Sequence, residues 1–110
     1  MTYLKNIEQK ILPKIKNSVL SVDPRAEVYL FGSRARKENK LDSDWDLLIL
    51  LSDSVTFERK IQITSLLYDI EISENQLFNR IFFSRDDWNN NKLLHESLFY
   101  KEVIKDYIPV

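Results

Sequence analysis

Asp44 and Asp46 stand two residues apart at the entrance to the apolar run Leu47 to Leu51. On a strand that spacing turns both carboxylates to one face, where they repel and raise each other's proton affinity. A divalent cation such as Mg²⁺ beside them removes the conflict, because it prefers hard oxygen ligands. Upstream, Gly32 ends the strand-forming segment Glu27 to Phe31 and precedes Ser33. A helix starting there would offer free backbone N–H groups and its positive dipole end to an anion. Gly32 has no side chain to block a phosphate, and Ser33 adds a hydroxyl donor. Arg34, Arg36, Lys37 and Lys40 make the next stretch basic. A phosphate cradle near a metal-binding carboxylate pair is what nucleotide chemistry requires.

The composition removes the main competitors. The 110 residues include no cysteine, one histidine and one glycine, where average usage would give about eight glycines. A disulfide framework, a thiol nucleophile and cysteine-ligated zinc are excluded. His95 alone cannot supply the imidazoles of a typical catalytic zinc site. One glycine builds neither G-x-G-x-x-G nor G-x-x-x-x-G-K-[ST]. Apolar residues make up 44% and charged residues 30%, as in a soluble globular chain, and the length suits one domain over residues 1–110. A net charge of −1 argues against a broad nucleic-acid-binding surface. With no signal-like segment and no apolar run of membrane length, the expected location is cytoplasmic.

The elements that must position these residues follow from periodicity. Tyr3/Leu4, Ile7, Ile11/Leu12, Ile15 and Val19/Leu20 recur at helical steps, and Pro13 should kink or break that first helix. Asp23-Pro24 marks a turn, and Glu27 to Phe31 reads as a strand. Ser33 to Asn39 is expected to form two short helical turns, with Lys40 to Ser43 as polar loop. Trp45 to Leu51 reads as a strand buried on both faces at its end. Ser52-Asp53-Ser54 is expected to open a long helix to about Ile72, with Phe57, Ile61, Leu67/Tyr68 and Ile70 on its apolar side. Leu77 to Phe83 reads as a further strand, and Ser84 with Asp87 has the form of a capping box before Trp88. Leu93 to about Lys105 is expected to be one last helix. Trp45, Trp88, Phe82 and Phe83 read as packing residues, and His95 as a surface or half-buried one. This order predicts an α/β (α+β) fold with a small mixed sheet of three to four strands flanked by helices.

Gly32-Ser33-Arg34-Ala35-Arg36 followed by Ser43-Asp44-Trp45-Asp46-Leu47 resembles the G-S-x-A-R … S-D-x-D-L signature of the DNA polymerase β-like nucleotidyltransferases. The short length is similar to the minimal nucleotidyltransferase (MNT) group. The resemblance implies that Asp44 and Asp46 bind Mg²⁺ or Mn²⁺ and carry the catalysis. It implies that Gly32, Ser33, Arg36 and Ser43 bind a nucleoside triphosphate. The implied reaction is attack by a hydroxyl on the α-phosphate with release of pyrophosphate, AMP from ATP being the expected transfer. Minimal members often pair with a HEPN-type partner protein as toxin and antitoxin, which makes that partner the implied acceptor; a homo-oligomer is the other association left open.

The chain departs from the pattern at one place. The family sets a third acidic residue on the following strand, and Leu77-Phe78-Asn79-Arg80-Ile81-Phe82-Phe83 contains none. Asn79 or Arg80 is expected to take the third position, with Asp69 and Glu74 nearby in sequence. A second reading follows: a catalytically impaired module that holds a nucleotide or a partner without turnover.

Overall fold

A computed structural model describes residues 2–40 and 42–110, with side chains from Ile7 onward. Tyr3 and Leu4 of the expected helix face, and Leu41 of the expected loop, therefore lie outside the described side chains. Helix α1 spans Thr2–Val22. Ile11, Ile15 and Val19, at four-residue steps, form its buried stripe. The helix continues through Pro13, so of the expected kink or break the break does not occur. The proline is exposed, and the buried turns on either side anchor the helix in the core.

The chain turns at Asp23 into strand β1, Glu27–Phe31, where Val28 and Leu30 face inward. A single helical turn follows, α2 (Gly32–Ala35), in place of the two expected. Strand β2 is Trp45–Leu51, helix α3 Phe57–Glu74 and strand β3 Phe78–Ser84. The remainder comprises α4 (Arg85–Asn90), α5 (Lys92–Glu96), α6 (Leu98–Asp106) and the two-residue strand β4 (Ile108–Pro109).

The sheet order is β3-β2-β1-β4, with β2 antiparallel to β1 and parallel to β3. Helix α3 supplies the crossover that a parallel pair needs. Trp45, Leu47, Ile49 and Leu51 pack with α1 and α3 on one face of β2, while Leu48 and Leu50 pack with Trp88 and Val103 on the other. Burial of one such leucine or isoleucine contributes about 2 kcal/mol relative to leaving it exposed. The expected mixed sheet flanked by helices is the one observed.

Several elements differ from the expectation. Helix α3 starts after Thr56, whose hydroxyl accepts from Arg59 N, because Ser52 is held elsewhere: its N–H and hydroxyl both donate to buried Asp23. The face of α3 that packs is Ile63, Leu67 and Ile70, whereas Phe57, Ile61 and Tyr68 are 76%, 50% and 56% exposed. The last helix splits at Ser97, whose hydroxyl caps α6 by accepting from Tyr100 N. Strand β4 then pairs with β1 through Tyr29–Pro109 and Leu30–Ile108, a pairing too short to show in the sequence. The Ser84 hydroxyl caps α4 by accepting from Asp87 N, the first half of the expected capping box, and Trp88 is buried in the core.

Candidate functional site

The register of the sheet assembles the site. Phe31 pairs with Asp46 across β1 and β2, so the chain leaves β1 at Gly32 directly beside Asp46. Gly32 has φ +74°, and a Cβ there would lie 2.1 Å from Asp46 Oδ2. Two constraints therefore require glycine: a left-handed backbone and a carboxylate filling the space of the absent side chain. On the other side, Asp46 pairs with Asn79 of β3. Asn79 Nδ2 donates to Asp46 Oδ1 at 3.0 Å and to Asp44 Oδ2 at 3.4 Å. One amide reaching both carboxylates shows that Asp44 and Asp46 share a face. They sit at the entrance of β2, an inner strand of the sheet.

Of the two candidates for the third position, Asn79 is at the pair and Arg80 is not. Arg80 occupies the alternate strand position and pairs with Glu71 of α3 on the opposite face. Glu71 also accepts from Phe78 N, which fixes the start of β3. Glu74 is held by Lys10 and Lys14 of α1, and Asp69 lies on α3. Among the described residues, no three His, Cys, Asp or Glu side chains gather as a metal-holding group.

The remaining candidates are distributed around the turn. Ser33 is half-buried in α2, and its carbonyl accepts from Glu38 N. Arg36 lies on the surface and pairs with Glu38 at 2.8 Å and with Asp106 at 3.7 Å. The hydrogen bond from Arg36 to Glu38 raises the pKa of the guanidinium above its ordinary value. Ser43 serves the loop in this conformation: its hydroxyl accepts from Lys40 N at 2.8 Å. His95 sits apart, stacked on Tyr100 and hydrogen-bonded to the Trp88 carbonyl.

Sequence reasoning missed Arg34. It is 1% exposed, its Nε and Nη2 donate to the Ser43 carbonyl at 3.2 and 2.8 Å, and its guanidinium lies 4.1 Å from the Trp45 ring centroid. Burial lowers its pKa, against the raising influence of Glu8 and Asp44. Arg34 thus ties the turn after β1 to the residue before Asp44, and Trp45 gives it an aromatic face. The signal was in the spacing, since Arg34 and Trp45 both belong to the two motif segments, but its burial depends on the sheet.

The donor set suits a hard divalent cation. Asp44 and Asp46 offer two carboxylates on one face, and the Asn79 amide carries a neutral oxygen on the same branch as its nitrogen. Mg²⁺ is commonly held by one or two carboxylates with phosphate oxygens and waters completing its shell. Residues 13–105 match the family described as polymerase beta, nucleotidyltransferase.

The chain belongs to the polymerase β nucleotidyltransferase family.

That is the family the Gly32-Ser33 and Asp44-x-Asp46 segments resemble. Its fold recurs in two solved structures. One is a toxin–antitoxin complex with AMP-PNP, 16% identical with a TM-score of 0.58, the alignment covering 93% of this chain and 70% of that one. The other is a toxin–antitoxin MntA–HpeT complex bearing two Asp-to-Glu substitutions, 14% identical with a TM-score of 0.55 and the same coverage. No curated protein matches. Within this nucleotidyltransferase, no described helix is long and apolar enough to cross a membrane.

Proposed function

We propose that the chain is a minimal nucleotidyltransferase that transfers AMP from ATP to an acceptor hydroxyl on a HEPN-type partner protein, as the antitoxin of a toxin–antitoxin pair in the cytoplasm. The observation that carries this reading is the Asp44–Asp46 pair set on one face directly against the Gly32 turn. The toxin–antitoxin character of both structural neighbours, and the AMP-PNP in one, support the partner and the nucleotide.

In the reaction the acceptor oxygen forms a bond to the α-phosphorus as the bond to the β-phosphate bridging oxygen breaks; pyrophosphate leaves and the hydroxyl proton passes to solvent water. Asp44 and Asp46 would hold Mg²⁺ or Mn²⁺, whose positive charge would offset that of the transferring phosphate. Gly32 and Ser33 receive the triphosphate at the turn, and Ser43 places the loop that leads into Asp44. Arg36 reaches the phosphates by leaving Glu38 and Asp106, a small cost for exposed pairs. The rate comes from holding the hydroxyl and the α-phosphate in line.

Asn79 favours a second reading. It cannot accept the hydroxyl proton as a carboxylate would, so deprotonation is the step this site supports least. A module that binds nucleotide and partner without turnover needs no such acceptor.

Incubation with ATP labelled in the α-phosphate, Mg²⁺ and a co-expressed helical partner separates the two. Transfer of label, abolished by Asp44→Asn or Asp46→Asn, supports the enzyme. A Mg²⁺-dependent rise in Tm with ATP but no pyrophosphate supports the binding module. Absence of any Mg²⁺-dependent nucleotide binding overturns both.

A further inference from the structure

Asn79 places one amide against two like-charged carboxylates, those of Asp44 and Asp46. Its side chain is exposed near the start of β3, so nothing in the core dictates its orientation. The Nδ2 amide nevertheless faces both carboxylates, at 3.0 and 3.4 Å. An amide oxygen turned the same way would add a third negative dipole to two negative charges, whereas the nitrogen supplies positive partial charge and two protons. The amide thus does for the carboxylate pair what a bound cation would do. Arg36, a cation just after the turn, is engaged with Glu38 and Asp106, and Arg80 is committed to Glu71 behind the sheet.

We propose that Asn79 is a specificity-determining residue that shields the aspartate pair from free divalent cations, so that the site takes its cation only together with a nucleotide. This rests on the nucleotidyltransferase reading above and names how that site is regulated. A free cation must displace the amide from both carboxylates and gains only two charged ligands in return. A cation arriving on a triphosphate brings further oxygen ligands with it, and those compensate for the lost hydrogen bonds. Rotation of the amide by half a turn then presents Oδ1 where Nδ2 stood.

The test is Mn²⁺ binding to the whole chain, followed by electron paramagnetic resonance and calorimetry, with and without a non-hydrolysable ATP analogue. Parent protein, Asn79→Ala and Asn79→Asp are compared at equal thermal stability, which an exposed position permits. Parent protein is expected to bind free Mn²⁺ at least tenfold more weakly than Mn²⁺ with the nucleotide analogue. Asn79→Ala, which removes the competing donor without adding charge, is expected to bind free Mn²⁺ several-fold more tightly than the parent. Asn79→Asp is expected to gain more than tenfold. Free Mn²⁺ affinity unchanged or weakened in Asn79→Ala overturns the proposal, as does equal affinity of the parent for Mn²⁺ with and without nucleotide. Failure of the parent to bind the nucleotide analogue at all overturns the nucleotidyltransferase reading instead, and the free Mn²⁺ comparison still decides the role of the amide.

Discussion

The carboxylate of Asp46 occupies the space that a side chain on Gly32 would need: a Cβ there would stand 2.1 Å from Oδ2. Asp46 by itself therefore requires the glycine. The turn and the metal-ligand candidate are one fitted unit, and neither can be altered alone.

Gly32→Ala is expected to lower stability by about 1–3 kcal/mol, because φ +74° strains any residue with a Cβ. It must also push Asp46 aside. Gly32→Val is expected to cost more, with folding and nucleotide binding falling together. Urea denaturation beside nucleotide titration measures both, and a variant of parental stability would contradict the fit.

Asp44→Asn is expected to leave folding within about 0.5 kcal/mol of the parent, since Asp44 is exposed. The rise in Tm expected of the parent with ATP and Mg²⁺ should disappear. A thermal-shift series with and without Mg²⁺ reads both quantities, and a retained ligand shift would remove Asp44 from the site.

Arg34→Met keeps much of the side-chain volume but loses the donors to the Ser43 carbonyl and the cation over Trp45. The expected loss is about 3 kcal/mol, from a charged hydrogen bond and a desolvated cation–π contact. Loosening of the loop before Asp44 should also raise the KM for nucleotide. Calorimetric melting and nucleotide titration provide the two readouts.

Buried Asp23 joins the α1–β1 turn to the end of β2 through Ser52, and Arg59 lies 3.9 Å away. Burial raises its pKa, but the Ser52 N–H and hydroxyl, the Arg25 N–H and the Arg59 charge outweigh that and lower it below 3.8. A lowered pKa means stabilisation that is fully present above the unfolded value of about 3.9 and lost as pH falls through the folded one. Stability should therefore drop as pH falls below about 4, and Asp23→Asn should flatten that part of the profile. Denaturation midpoints between pH 2.5 and 6 test this; an unchanged slope in the variant would contradict it.

The sequence by itself determined the strands that carry the site. Glu27–Phe31 and Trp45–Leu51 are runs whose side chains favour pleated, buried positions, and local composition is enough to mark them. The Gly-Ser and Asp-x-Asp segments were legible for the same reason: a period of two puts Asp44 and Asp46 on one face whatever the neighbours are.

Only the tertiary structure decided what stands beside them. Register across two strand pairs brought Gly32 and Asn79 to Asp46, and it sent Arg80 to Glu71 on the far side. Ser52 lost its expected helix-opening place to Asp23, twenty-nine positions away, and Thr56 capped α3 instead. Arg34 looked like part of a solvated basic stretch until Trp45 and the Ser43 carbonyl enclosed it. In each case a long-range partner outcompeted a local preference. A side chain's hydrogen bonds are satisfied by whatever the packed sheet brings within reach, and burial makes that choice binding.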